Sequence, residues 1–178
     1  MARPRVAHAR NLATDIAASL RRERPDLDQA DYLYLLYVQR LGRIFETNHD
    51  KHCRAEFGIS GAEMRVLFAL RRASPAYALR PTELFRSLLV TSGAITKQVD
   101  RLMSVGFVDR QPGPKNSGGF LIHLTDKGKD TADSSLTGLA DSSVLSHSAL
   151  SSNERKTACH LLEKMLLDLE ERMHEDDA

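Results

Sequence analysis

Three side chains with metal-binding chemistry lie close together in the segment HDKHC. His49, His52 and Cys53 have the spacing i, i+3 and i+4, which places them on one face of a helix. Imidazole nitrogen and thiolate sulfur are ligands that Zn²⁺ prefers, but a structural zinc site needs four ligands and the sequence offers no evident fourth. We therefore favour a polar helix end with a packed thiol, and we predict no metal and no cofactor.

Catalytic chemistry has no recognisable motif here. The sequence contains no nucleophile beside a general base, no glycine-rich phosphate loop and no paired carboxylates in a known arrangement. Its two cysteines, Cys53 and Cys159, form no CxxC motif and are not typical of a secreted disulfide scaffold. We predict that the protein is not an enzyme.

Residues 91–104, TSGAITKQVDRLMS, predict a different chemistry. Ile95, Val99 and Leu102 share one helical face and would meet a core, while the opposite face carries hydroxyls and cations. Small residues at the start would let the helix tip approach a groove closely, and its backbone N–H groups can meet phosphates. The alternative is the solvated face of a short helix. The residues predicted to contact DNA in this segment are Thr91, Ser92, Gly93, Thr96, Lys97 and Arg101.

The neighbouring elements favour the first interpretation. Pro81 suits the first turn of a short helix over 81–88, and Gly106 is placed to end the next helix. Strand-like residues 107–111 and 120–124 flank the segment PGPKNSGG, which predicts a hairpin. We predict a mainly α fold with a small β-hairpin wing: a winged helix-turn-helix core flanked by long dimerisation helices.

The rest of the chain reads as helices and connectors. A long helix is expected over 31–57, a capping box at Ser60 should begin the next helix, and Thr125 should cap another. The segment SPAYAL is expected to be a connector. We predict an N-terminal tail and dimerisation helices over 1–57, a DNA-binding domain over 58–129 and C-terminal dimerisation helices over 130–178, with the last helix at about 151–173.

Charge is distributed unevenly along the 178 residues. The formal net charge is +1, yet residues 80–129 carry 8 Lys and Arg against 4 Asp and Glu, whereas residues 130–178 carry 4 against 11. A basic middle favours an anionic partner there. With no apolar run long enough to cross a membrane and no signal-peptide pattern, we expect a soluble, cytoplasmic protein.

The segments LRPTELFRSLLVTSGAITKQVDRLMSVGFVDRQ and FLIHLTDKGK resemble the winged helix-turn-helix core of MarR-type transcriptional regulators. The resemblance covers about residues 20–135. It implies a homodimer on a pseudo-palindromic operator of double-stranded DNA, usually a repressor released by a small molecule or by thiol oxidation. It further implies a backbone contact by Arg80 and contacts at the wing tip by Lys115 and Asn116. The family's Asp-x-Arg wing motif is replaced here by Asn116-Ser117-Gly118.

The N-terminal segments also resemble the urate-responsive branch of that family, but its ligand residues do not match. The chain has no Trp, Arg65 stands in place of an Asp, and Gln98 replaces an Arg. Arginines near aromatic residues would suit an aromatic carboxylate. Structural ion pairs or phosphate contacts are the alternative role for these arginines. The candidate effector residues are Tyr37, Arg40, Arg65, Phe68 and Arg72.

Three alternatives stay open at this stage. One is a winged-helix protein-interaction module that does not bind DNA, although Lys97 and Arg101 argue against an apolar or acidic recognition face. A second is a regulator that senses thiol oxidation through Cys53 or Cys159. A third is a small enzyme of unrecognised type, which would need a polar pocket with convergent groups.

Overall fold

The chain is described by a computed structural model over residues 7–113, 119–141 and 150–176. It divides into two compact units, Met1–Ala132 and Asp133–Ala178. The arrangement is mainly helical with a small antiparallel sheet, which confirms the predicted fold class. The elements of the described residues are α1 (Ala7–Glu23), α2 (Gln29–Phe57), α3 (Gly61–Arg72), β1 (Ala78–Leu79), α4 (Pro81–Ser87), α5 (Ser92–Ser104), β2 (Val108–Pro112), β3 (Phe120–Leu124), α6 (Asp126–Asp141) and α7 (Ser152–Asp176).

Local capping chemistry sets the junction between α2 and α3. Helix α2 ends at Gly58, whose φ of 68° is a left-handed conformation that glycine adopts without a steric penalty. Helix α3 begins with the predicted capping box: the Glu63 backbone N–H donates to Ser60 Oγ, and the Ser60 backbone N–H donates to the Glu63 carboxylate at 2.6 Å. Helix α2 starts two residues earlier than expected because Asp28 caps it, accepting from the Ala30 N–H.

The sheet has three strands, where a two-stranded hairpin was predicted. The strand order is β1-β3-β2, and β1 pairs with β3 through Ala78↔His123 and Leu79↔Ile122. The expectation that SPAYAL is only a connector was therefore wrong. A strand of two residues is too short to show an alternating pattern, and its pairing partner lies more than forty residues away in the chain.

A single apolar cluster lies between α3, α4, α5 and the sheet. Its fully buried members contribute roughly 1.5–3 kcal/mol each relative to exposure in water, so they fix the helices as one body. These members include Met64, Leu67 and Leu70 of α3, Leu84 of α4, Ile95 and Leu102 of α5, and Ile122 of β3.

Candidate nucleic-acid interface

Helix α5 presents two contrasting faces, as predicted. Ile95, Val99 and Leu102 are buried, while the opposite side is exposed. Thr91 caps the helix, its Oγ1 accepting a hydrogen bond from the Ala94 N–H at 3.3 Å. The exposed residues of this side are Ser92, Gly93, Thr96, Lys97, Asp100, Arg101 and Ser104.

The described residues leave the cations of this face without an acidic partner. In the described parts of the chain, neither Lys97 nor Arg101 forms an ion pair with an acidic side chain. Arg101 donates to Ser104 Oγ at 3.2 Å, which keeps its guanidinium along the helix surface without cancelling its charge. Both charges remain available to an anion.

The N-terminal turn of α5 has small side chains, and packing does not require a glycine at position 93. A Cβ added at Gly93 would meet nothing within 4 Å, so the fold itself does not require glycine there. The neighbouring Thr91 and Ser92 are exposed as well. Small side chains at a helix N-terminus leave its backbone N–H groups accessible to a negatively charged group.

The short helix before the turn begins as predicted, with Pro81 in its first turn. The Arg80 backbone N–H donates to the Glu83 carboxylate at 2.6 Å, which satisfies a donor that the helix leaves unpaired. The Arg80 side chain is exposed at the start of α4. The turn that follows contains Leu89, which has a φ of 52° and is 73% exposed.

The segment LTDKG fixes the chain where it leaves α5. The Thr125 hydroxyl donates to the Gly106 carbonyl at 2.8 Å and accepts from the Gly128 N–H at 3.1 Å, so the predicted cap is present. The Lys127 ammonium donates to the Val105 carbonyl at 2.8 Å, where a cation complements the negative end of the α5 dipole. It also lies 4.7 Å from the ring centroid of Phe107.

The hairpin after α5 pairs from Val108↔Leu124 to Pro112↔Phe120. Arg110 of this hairpin lies 3.6 Å from Asp100 on α5, a contact that was not predicted from the sequence. Its signal was available, because a charged residue interrupts an alternating apolar pattern there. The predicted wing-tip residues Lys115 and Asn116 lie outside the described residues.

The candidate effector residues do not all come together. Arg65 pairs with Glu46 of α2 at 3.5 Å, and the Phe68 ring stacks on the His49 ring at a centroid distance of 6.0 Å. These two candidates therefore share the α2–α3 contact. Tyr37 lies nine residues before Glu46 on the same helix, which corresponds to roughly 14 Å of helix.

Arg40 and Arg72 lie elsewhere on these helices. Arg40 borders a shallow groove on α2 together with Arg43, Ile44, Thr47 and Asn48. Arg72 is exposed at the last position of α3.

The rings of the HDKHC segment are used for packing. His49 stacks on Phe68, and His52 meets the Phe57 ring edge-on at 6.0 Å. Burial lowers the pKa of His49 below its ordinary value, and the positive charges of Arg65 and His52 lower it further. Cys53 is fully buried in the core, whereas Cys159 is exposed on α7.

The fold and this surface define a winged helix-turn-helix protein. Residues 57–117 match the sequence model of the MarR family. The chain is 30% identical over 115 residues to the HTH-type transcriptional regulator PecS of Dickeya dadantii, covering 65% of this chain and 69% of that protein. The chain belongs to the MarR family of transcriptional regulators, whose members are DNA-binding transcription factors and not enzymes.

Solved structures agree with this assignment. A cysteine-to-serine mutant of MarR from E. coli, complexed with operator DNA, aligns with a TM-score of 0.59 at 27% identity, covering 75% of this chain and 96% of that one. The MarR family regulator Sco5413 from Streptomyces coelicolor shares the fold with a TM-score of 0.68 at 21% identity, covering 80% and 96%. Among the described helices, none is both long and apolar enough to span a membrane.

We predict that Gly128→Ala destabilises the protein by roughly 1–3 kcal/mol, the usual cost of overpacking. A Cβ at this position would lie 2.1 Å from the Phe107 carbonyl oxygen, so the exit of α5 must shift. Urea unfolding measures the effect. Gly93→Ala is the matched control, because its Cβ meets open space and should leave stability unchanged or raised by up to about 1 kcal/mol. Equal stabilities of the two variants would contradict the role of Gly128.

Proposed function

We propose that this regulator is a homodimeric repressor that binds a pseudo-palindromic operator and is released by a small, aromatic and anionic ligand. The exposed face of α5 carries the proposal, since Lys97 and Arg101 have no acidic partner within the described residues. Phosphate contacts dominate the affinity of such proteins for DNA. Arg80, exposed at the start of α4, is proposed as a further contact to the DNA backbone. Lys115 and Asn116 are proposed as DNA contacts of the wing, as the family resemblance implies.

Unpartnered apolar side chains support the homodimer. In the first unit, α2 exposes Tyr34, Tyr37, Leu41, Ile44 and Phe45, which share one side of the helix. In the second unit, α7 exposes a comparable set of large apolar residues. These side chains are 41–57% exposed, so each forgoes part of the roughly 1.5–3 kcal/mol that full burial contributes. A second copy of the chain could cover each set by a two-fold pairing. The α7 residues are Leu161, Leu162, Leu166, Leu167, Leu169 and Met173.

The α2–α3 contact supports an effector site. Arg65 is held by Glu46 at 3.5 Å, a long and partly exposed pair that costs little to break. An aromatic carboxylate could take the guanidinium from Glu46 and lay its ring beside Phe68. Its binding would then change how α3 is held against α2, and α3 forms part of the core on which α5 rests.

We predict that Lys97→Ala and Arg101→Ala each weaken operator binding about tenfold or more, since a hydrogen bond to a charged group contributes roughly 1.5–3 kcal/mol. Each should also lower the salt dependence of binding by about one unit of slope. A gel-shift titration at several salt concentrations, using DNA from upstream of the chain's own coding region, measures both. Lys51→Ala on exposed α2 is the matched control. If both variants keep the wild-type affinity and salt slope, α5 does not contact the operator through these two residues.

We predict that deleting residues 151–178 yields a monomer or an aggregate with much weaker DNA binding. The intact dimer should place two α5 helices about one DNA turn apart, roughly 34 Å, on an inverted repeat. Light scattering measures the mass, and Leu166→Glu should reproduce the loss of the dimer where Glu163→Gln does not. An intact protein that is monomeric at micromolar concentration and binds a single half-site would rule out this arrangement.

We predict that salicylate-like carboxylates bind this protein and release it from the operator, whereas urate does neither. Arg65 has the charge that a carboxylate needs, while the tryptophan and acid of a urate site are missing. Calorimetric titration of both ligands into the wild type and Arg65→Gln tests this, with Arg43→Gln as control. Tight urate binding, or carboxylate binding that is indifferent to Arg65, would show that the site lies elsewhere.

A further inference from the structure

Arg110 breaks an apolar pattern on the inner face of the wing hairpin. Val108 pairs with Leu124, and Arg110 pairs with Ile122. Directly paired residues point to the same side of a sheet, and Val108, Ile122 and Leu124 are all buried on that side. Position 110 is itself exposed, so the arginine departs from the apolar pattern of its neighbours while its charge stays in contact with water.

Two contacts hold the Arg110 side chain. Its guanidinium carbon lies 4.1 Å from the centroid of the Phe120 ring, within cation–π range. Its Nη2 lies 3.6 Å from Oδ1 of Asp100. The neighbouring Gln111 donates to Asp109 at 3.2 Å, so that nearby carboxylate already has a partner. The first contact of Arg110 stays within the hairpin, while the second crosses to α5.

Asp100 lies on the face of α5 that carries Lys97 and Arg101. A carboxylate there repels DNA phosphates unless a cation balances it. The Asp100 and Arg110 side chains are 61% and 40% exposed and are 3.6 Å apart. An ion pair this long and this exposed adds little to folding stability. The pair does join the hairpin to α5, and it places a cation beside the carboxylate of this face.

We propose that Arg110 is a positioning residue that clamps the wing hairpin to the recognition helix α5. On the hairpin side, the Phe120 ring lies against the Arg110 guanidinium. On the helix side, the Asp100 carboxylate forms an ion pair with the same guanidinium. Arg110 therefore acts on DNA affinity through these two residues and not by contacting a phosphate. This inference rests on the proposed DNA-binding function and adds to it a link between α5 and the wing.

The decisive variant is Phe120→Leu, because it removes the ring without changing any charge. We expect Arg110→Gln to weaken operator binding about tenfold and Phe120→Leu about threefold, with the double variant no weaker than Arg110→Gln. Phe120→Leu should leave the salt slope unchanged. Gln111→Ala, whose side chain belongs to the opposite face of the hairpin, should stay within about twofold of wild type. Thermal unfolding of each variant shows whether the affinity change is separate from stability.

A second measurement needs no DNA. Hydrogen–deuterium exchange of the full chain should be faster, by about threefold or more, in β2 and the second half of α5 when Arg110→Gln or Phe120→Leu is introduced. Gln111→Ala should leave exchange unchanged there. If the wild type binds no operator fragment, the proposed function fails, yet this exchange result still decides whether the clamp exists.

Three outcomes would overturn the clamp. In the first, Arg110→Gln weakens binding and also lowers the salt slope by about one unit, while Phe120→Leu has no effect. That result would make Arg110 a direct phosphate contact. In the second, amide exchange in β2 and α5 is the same as wild type in both variants. In the third, the loss of affinity follows the loss of thermal stability in every variant. Arg110 would then affect DNA binding only through the stability of the fold.

Discussion

The close approach of Gly128 to the Phe107 carbonyl is the constraint on which the orientation of the proposed DNA-contacting face of α5 depends. No side chain fits between them, since a Cβ would lie 2.1 Å from that oxygen. The start of α6 is thereby pressed against the exit of α5, where Thr125 and Lys127 bind the carbonyls of Gly106 and Val105. A helix whose last turn is held in this way cannot rotate without breaking several hydrogen bonds, so its exposed face keeps a fixed direction.

The chemistry of that exposed face follows from which charges the fold neutralises. Lys97 and Arg101 lie beside Asp100 on α5, yet the only ion pair that the described residues form on this face joins Asp100 to Arg110 of the hairpin. The acidic group is therefore balanced from outside the helix while the two cations are not. A polyanion approaching α5 would meet net positive charge, and such steering weakens as salt rises.

Local rules were sufficient for most of the fold and for the polar face of α5. The caps at Ser60, Thr91 and Thr125 depend on residues within a few positions, so the sequence predicts them directly. Contacts between distant segments were not predictable in this way. The strand β1 is only two residues long, and Arg65 meets Glu46 nineteen positions earlier, so neither leaves a periodic signal.

The α2–α3 junction is the place where the ligand proposed at Arg65 would act. Gly61 lets the two helices meet backbone to backbone, because a Cβ there would lie 3.1 Å from Asp50 Cα. The Asp50 carboxylate also accepts from the Gly61 N–H at 2.9 Å, and the pKa of Asp50 is lowered mainly by its bond to Arg54 and then by this one. The start of α3 is thus fixed to α2, whereas the ion pair that Arg65, one turn later, forms within the described residues is the long contact with Glu46. The ligand proposed to replace Glu46 would act at this long, partly exposed pair, and the α3 residues that share a core with α5 connect the two helices.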